Sequence, residues 1–280
     1  MTIPPIPVLD HVVVNVLDRM DEAQALYTRL GFTLTPRGHH TLGSINHLAM
    51  FGTDYLELIG APADGQRLDI MGWPLGLNAV VFATEDAAKA GAALVAQGVD
   101  CLEPRDFSRP VALKGGARDA SFRTANLARG ESDAGRFYFC QHFTRDLVWR
   151  DEWRRHANGT LGVIGVVQAS AAPDESAALY GRMFGPTALT AIPGGRRLAM
   201  ALSSVDVIDP ATLAARYGAA APDAKGRADV LAALVLRSPD LAQTAAVLAG
   251  SGIAFTHPAP NRLVVPASIA MGTTIEFRPA

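Results

Sequence analysis

Apolar residues in this chain fall into short bursts whose spacing alternates between that of a strand and that of a helix. Val8–Val16 is apolar and β-branched almost throughout, which predicts a strand buried on both faces. Asp21–Leu30 is rich in helix formers and stops at Gly31, a residue suited to the position just past a helix end. Phe32–Pro36, Ser44–Phe51 and Tyr55–Ile59 read as three more strands, the last two joined by the turn-like Gly52-Thr53-Asp54. The order is strand, helix, strand, strand, strand.

That order returns. Leu77–Ala83 reads as a strand, Glu85–Gln97 as a helix ending at Gly98, and Val99–Leu102, Ser121–Leu127 and Phe137–Phe143 as strands. Glu103–Ala120, with Pro104, Pro110 and Gly115-Gly116, reads as a long loop of the kind that covers a site. Val148–Thr160 is the expected linker between halves.

The second half starts with a strand at Leu161–Ala169 and a helix at Asp174–Phe184. A strand at Arg197–Ser203 precedes an extra helix, Asp209–Tyr217, with Asp209 as its N-cap and Pro210 in its first turn. After a loose loop at Ala219–Gly226 come strand Val230–Leu236, helix Pro239–Gly250, and strands at Ile253–Thr256, Arg262–Val265 and Thr274–Phe277.

The repetition is visible in the letters. Asp21-Glu22-Ala23-Gln24-Ala25-Leu26-Tyr27 matches Asp174-Glu175-Ser176-Ala177-Ala178-Leu179-Tyr180, and Tyr55-Leu56-Glu57-Leu58 parallels Thr274-Ile275-Glu276-Phe277. The fold class is therefore α+β: four βαβββ units, paired into a domain over 1–147 and a degenerate one over 161–280, joined by 148–160.

Leu9-Asp10-His11-Val12-Val13, the helix ending in Leu30-Gly31-Phe32, and Asn46-His47-Leu48 followed by Tyr55-Leu56-Glu57-Leu58 resemble the glyoxalase-like branch of the vicinal oxygen chelate superfamily. That superfamily includes glyoxalase I, extradiol dioxygenases, and fosfomycin- and bleomycin-resistance proteins. The resemblance implies curled mixed sheets around a cleft, and a divalent metal (Fe, Mn, Ni or Zn) bound by first and last strands of paired units. It assigns His11 and Glu57 as metal ligands; His142 or Gln141 is the candidate for a third, and Glu57 is also the candidate for moving a proton. The second unit departs from the pattern, with Asn78 or Ala79 in its first strand and no carboxylate in its last. Gln141 and His142 are neighbours on that strand, so alternation turns only one of them toward the cleft.

Arg123, Tyr55, His47 and Gln141 are the candidate substrate-binding residues. An arginine there would hold a carboxylate or phosphate with two parallel bonds. Each has a plainer alternative: a strand histidine that only hydrogen-bonds, or an arginine lying along the sheet edge. His39-His40, His156 and His257 read as loop histidines.

Composition narrows the function classes. The formal charge is −2, which argues against a nucleic-acid partner. Cys101 and Cys140 are the only cysteines, too few for a disulfide framework or a CxxC zinc site. There is no P-loop or GxGxxG, so no nucleotide cofactor is expected. No secretory leader and no membrane-length apolar run are apparent, and the expectation is a cytoplasmic protein without membrane contact, with a second half that packs on the first or supports a homodimer. Two functions stand: a metal-dependent lyase, isomerase or ring-cleaving dioxygenase, and a metal-free protein that sequesters a small molecule.

Overall fold

A computed structural model describes residues 7–62, 67–113 and 115–279. In the first half, β1 (Leu9–Leu17), α1 (Met20–Arg29), β2 (Gly38–His39), β3 (Ile45–Met50) and β4 (Tyr55–Gly60) form one unit. After a short α2 (Leu68–Met71), β5 (Gly76–Ala83), α3 (Ala87–Ala96), β6 (Arg105–Leu113), β7 (Gly116–Asn126) and β8 (Arg136–His142) form the next. The second half holds β9 (Gly162–Ser170), α4 (Pro173–Phe184), β10 (Leu189–Ile192), β11 (Gly195–Ala199), β12 (Ser204–Ile208) and α5 (Pro210–Tyr217). It continues with β13 (Asp229–Arg237), α6 (Leu241–Gly250), β14 (Thr256–Ala259), β15 (Arg262–Val265) and β16 (Thr274–Arg278).

The strands make two eight-stranded mixed sheets of the same topology, β2-β3-β4-β1-β5-β8-β7-β6 and β10-β11-β12-β9-β13-β16-β15-β14. In each, the two central strands run antiparallel and each pairs in parallel with the last strand of its own unit. The first sheet curls until its edges meet, with Thr41 N–H donating to Ser108 C=O. Among the described residues, no helix is long and apolar enough to cross a membrane.

Several elements differ from the sequence expectation. Phe32–Pro36 forms no strand; the short strand falls at Gly38–His39. Val99–Leu102 keeps only the bridge Cys101–Leu127. β10 and β12 are strands that the expectation lacked. The largest correction is Glu103–Ala120, which is mostly the hairpin β6–β7 and not a loop. β6 is an edge strand, so Pro110 deprives no neighbouring strand of a ladder bond.

One hydrophobic core joins the two halves. It includes Val12, Val14, Tyr27, Leu56, Leu58, Phe82 and Phe139 from the first and Tyr180, Phe184, Leu234 and Phe277 from the second. Phe184 sits 4.8 Å from Phe82 and 5.9 Å from Phe139, and Phe32 faces Phe277 at 6.5 Å. The linker is pinned by its polar groups. His156 accepts from Thr33 N–H at 3.0 Å and donates to Met50 C=O at 2.8 Å, while Asn158 donates to Leu30 C=O. Gly31, with φ of +90°, lies so close to the linker that an added Cβ would fall 2.9 Å from Asn158 Cβ. His156 thus lies in a loop as expected, but it is buried and structural.

The concave faces diverge. In the second sheet α5 lies across that face, with Leu213 and Tyr217 packed on Val167, Ile208 and Val235. Asp209 caps this helix as its sequence predicts, accepting from Thr212 N–H. Beneath it Glu276 is fully buried, held by Tyr217 Oη at 2.7 Å, Arg262 Nε at 2.6 Å and Arg278. The first sheet keeps a cavity of about 500 Å³.

Candidate active site in the first sheet

A bulge on β1 builds the centre of this site. Leu9 pairs with Phe82 and His11 with Val81, leaving Asp10 as an extra residue. An extra residue breaks the alternation of a strand, so two consecutive side chains can emerge on one side. Asp10 Oδ1 lies 2.6 Å from His11 Nδ1 and 3.1 Å from His142 Nε2. Burial works to raise the Asp10 carboxyl, but His142 and His11 outweigh it and hold the group well below the usual carboxylate range. Ionised, Asp10 accepts from His11 Nδ1 and so fixes the orientation of the ring.

His11 Nε2 faces the cavity wall. Glu57 Oε2 is 3.5 Å away and Tyr138 Oη 3.2 Å. The Tyr55 ring stacks on the imidazole, centroids 4.3 Å apart with 13° between planes. The other Glu57 oxygen accepts from Asn46 Nδ2 at 2.7 Å. Tyr55, Glu57 and Ile59 line the cavity, while Leu56 and Leu58 point into the shared core, as alternation along β4 requires. Burial pushes both the Tyr55 and Tyr138 hydroxyls far up, so each stays a protonated donor.

His142 does turn toward the inner side of β8, but as a partner of Asp10. Its ring packs among Phe122, Trp149 and Tyr55. Gln141 points the other way, where its Oε1 accepts from Ala87 N–H at the start of α3. His47 also leaves the cavity: Nδ1 donates to Thr35 C=O at 2.8 Å and Nε2 accepts from Arg37 Nε. Arg123 lies on the outer surface, bound through Nε and Nη2 to Asp106 at 2.5 and 2.8 Å. The structure therefore keeps His11, Glu57 and Tyr55 together and removes Gln141, His47 and Arg123 from the cavity.

Three residues of the site, Asp10 behind His11 and the cavity-lining His40 and Arg109, escaped the sequence reading. Asp10 was hidden by the bulge, although a charged residue inside an apolar strand is itself a signal. His40 lines the cavity beside Phe107 and bonds Ser44 and Asn46, while its neighbour His39 is exposed. Burial drops the His40 ring to about 4, with Arg109 and Arg67 adding to the effect against Glu57. Arg109, on β6, is only 3% exposed. Its signal was the alternation Phe107, Arg109, Val111, Leu113, which two prolines and a glycine pair obscured.

Two groups of side chains could hold a cation. Asp10, Cys140 and His142 offer ligand atoms within 4.8 Å of one another. There, burial among Asp10 and Glu57 pushes the Cys140 thiol up, against the thiolate a metal requires. The second group is His11 Nε2 with Glu57 Oε2, which opens on the cavity and has a carboxylate behind the imidazole, the usual support of a metal-binding histidine. The residues that stand opposite on the second unit's first strand are Ala79 and Val81, which ligate nothing.

A family model described as a glyoxalase-like domain matches residues 9–184. No curated protein matches the chain. Among solved structures, a hypothetical protein from Staphylococcus aureus is similar at a TM-score of 0.68 and 11% identity, over 98% of this chain and 100% of that one. A 4-hydroxymandelate synthase mutant from Streptomyces coelicolor is similar at 0.60 and 11% identity, over 98% and 93%. A xylose isomerase-like TIM barrel/4-hydroxyphenylpyruvate dioxygenase fusion protein is similar at 0.62 and 13% identity, over 100% of this chain and 51% of its own. At these identities the likeness shows a shared fold.

Proposed function

The chain belongs to the glyoxalase-like domain family, whose model matches more than half of its length, and from that premise we propose a divalent-metal-dependent enzyme acting on a small oxygenated or aromatic molecule in the first cavity. One observation carries the reading. With Nδ1 held by Asp10, His11 turns Nε2 toward a Glu57 oxygen 3.5 Å away. An imidazole nitrogen and a carboxylate oxygen that face each other beside a cavity are a donor pair suited to a divalent cation. His11 and Glu57 would hold that ion, and when bound it supplies a Lewis acid for a pair of substrate oxygens.

The rest is work for the chain's own residues. Asp10 fixes the His11 tautomer, and Tyr55 fixes the plane of the ring. Asn46 ties one Glu57 oxygen and so presents the other. Tyr138 keeps a neutral hydroxyl on the same wall, 3.2 Å from His11 Nε2. Lyase, isomerase and ring-cleaving dioxygenase chemistry all suit such a centre. Two structural neighbours, a synthase and a dioxygenase fusion, support the oxygenase type, although one fold hosts many chemistries.

Ala79 and Val81 favour a second reading, a metal-free binding protein in which a proton on His11 Nε2 balances Glu57. Metal analysis of untagged protein prepared without chelator, beside His11→Ala and Glu57→Ala, separates the two. The enzyme reading expects near-stoichiometric metal that both variants lose. No bound metal in the wild type, even after divalent ions are added back, would sink it in favour of the binding protein.

A further inference from the structure

Arg109 is a strongly buried cation of the cavity, and Glu57 acts on it only at a distance, without a direct ion pair. Its Nη2 is buried without a hydrogen-bond partner, and no described carboxylate pairs with it. Elsewhere two buried carboxylates are paired, Glu276 with Arg262 and Arg278, and Asp206 with Arg197 and Arg216. Arg67, on the same cavity, is bound to Asp69. A guanidinium without a direct carboxylate partner in a low-dielectric wall is costly, and a ligand anion is the natural offset.

The wall is shaped around it. A Cβ at Gly38 would fall 2.9 Å from Arg109 Cδ, so the glycine leaves room for the arginine's shaft. Phe107 and Phe122, on the adjacent strands β6 and β7, stack 5.0 Å apart and line the cavity with Tyr55. Glu57 occupies the same wall, which disfavours a doubly charged ligand. A single planar fork matches one carboxylate.

We propose that Arg109 is the anchor for a small organic carboxylate with an apolar or aromatic body, its charged end on the guanidinium and its body along Phe107, Phe122 and Tyr55. The proposal rests on this cavity being the working site, and it does not require the ion.

The test is calorimetric titration of the full chain, with and without chelator, using benzoate and phenylacetate as probes and benzamide and inorganic phosphate as comparisons. Saturable binding of a carboxylate, but not of benzamide or phosphate, is expected in the wild type. Arg109→Gln and Arg109→Met should weaken it about tenfold to a hundredfold, the worth of a charge-assisted hydrogen bond, and Arg109→Lys should restore part of it. Arg109→Met should also melt no lower than the wild type without ligand, because it removes an unpaired buried charge; a purely structural arginine would lower the melting temperature. Arg136 lines the same cavity with a second unpartnered Nη2, although its Nε is bound to Asn78, and Arg136→Gln is the control. No carboxylate binding at millimolar probe, equal binding of benzamide, tighter binding of phosphate, or loss in Arg136→Gln with retention in Arg109→Met would each overturn the assignment. Carboxylate binding that survives chelator while metal analysis is blank would leave it standing and remove only the metal-dependent reading.

Discussion

Asp10 and His11 are consecutive residues of one strand, and the Asp10 carboxylate nevertheless lies 2.6 Å from the His11 ring nitrogen, on the side of the sheet that faces the cavity. The bulge in β1 makes this contact possible, and everything at the site follows from it.

Asp10→Asn tests the contact. The amide no longer accepts as a charge, and the His11 tautomer loses its anchor. Metal affinity, measured by competition with a chromophoric chelator, should fall about tenfold to a hundredfold, the range for loss of an outer carboxylate partner. An unchanged affinity would remove Asp10 from the site.

Cys140→Ser decides between the two groups of donors. If the ion sits at His11 and Glu57, metal content stays at the wild-type level, since Cys140 Sγ belongs to the other group. Loss of metal in Cys140→Ser with retention in His11→Ala would move the centre to Asp10, Cys140 and His142.

Arg123→Ala should change neither carboxylate binding nor the melting temperature measurably. Its ion pair with Asp106 is solvent-exposed, and such pairs contribute little. The informative comparison is with Arg109→Met in the same titration.

Phe184→Ala probes the union of the halves. Phe184 comes from the second half and packs on Phe82 and Phe139 of the first. Truncation should cost about 3–5 kcal/mol in denaturant unfolding, as for other buried phenylalanines, and calorimetry should show one transition. Two separated transitions, with only the second shifted, would contradict a shared core.

Asp54 gives a pH dependence of stability. Burial pushes its carboxyl up to about 6 from 3.8, against the opposing bond from Val163 N–H. The folded state holds the proton more tightly than the unfolded one. Stability from this group is therefore full below pH 3.8 and is lost as pH rises through about 6. Asp54→Asn keeps an acceptor for Val163 and removes the titration. Urea unfolding should show the variant gaining on the wild type across that window, by roughly 3 kcal/mol in total. Parallel curves would refute the assignment.

By itself, the sequence determined the repeating βαβββ order, the ends of α1 and α4, the cap of α5, and the placing of Tyr55 and Glu57 on one side of their strand. These are consequences of local spacing: period, helix-ending glycines and alternation act over a few residues and need no partner to be read. What only the tertiary structure decided depends on pairing between distant segments. The register shift opposite Phe82 and Val81 turned Asp10 inward. Pairing with β7 made a strand of the proline-bearing β6 and buried Arg109, while Arg123 on the partner strand went to solvent with Asp106. Gln141 and His47 were lost to the far face by the same alternation that kept His142 and Asn46 on the near one. The filling of the second concave face by α5 was likewise a matter of packing, because the amphipathic pattern of a helix shows that it covers something and not what it covers.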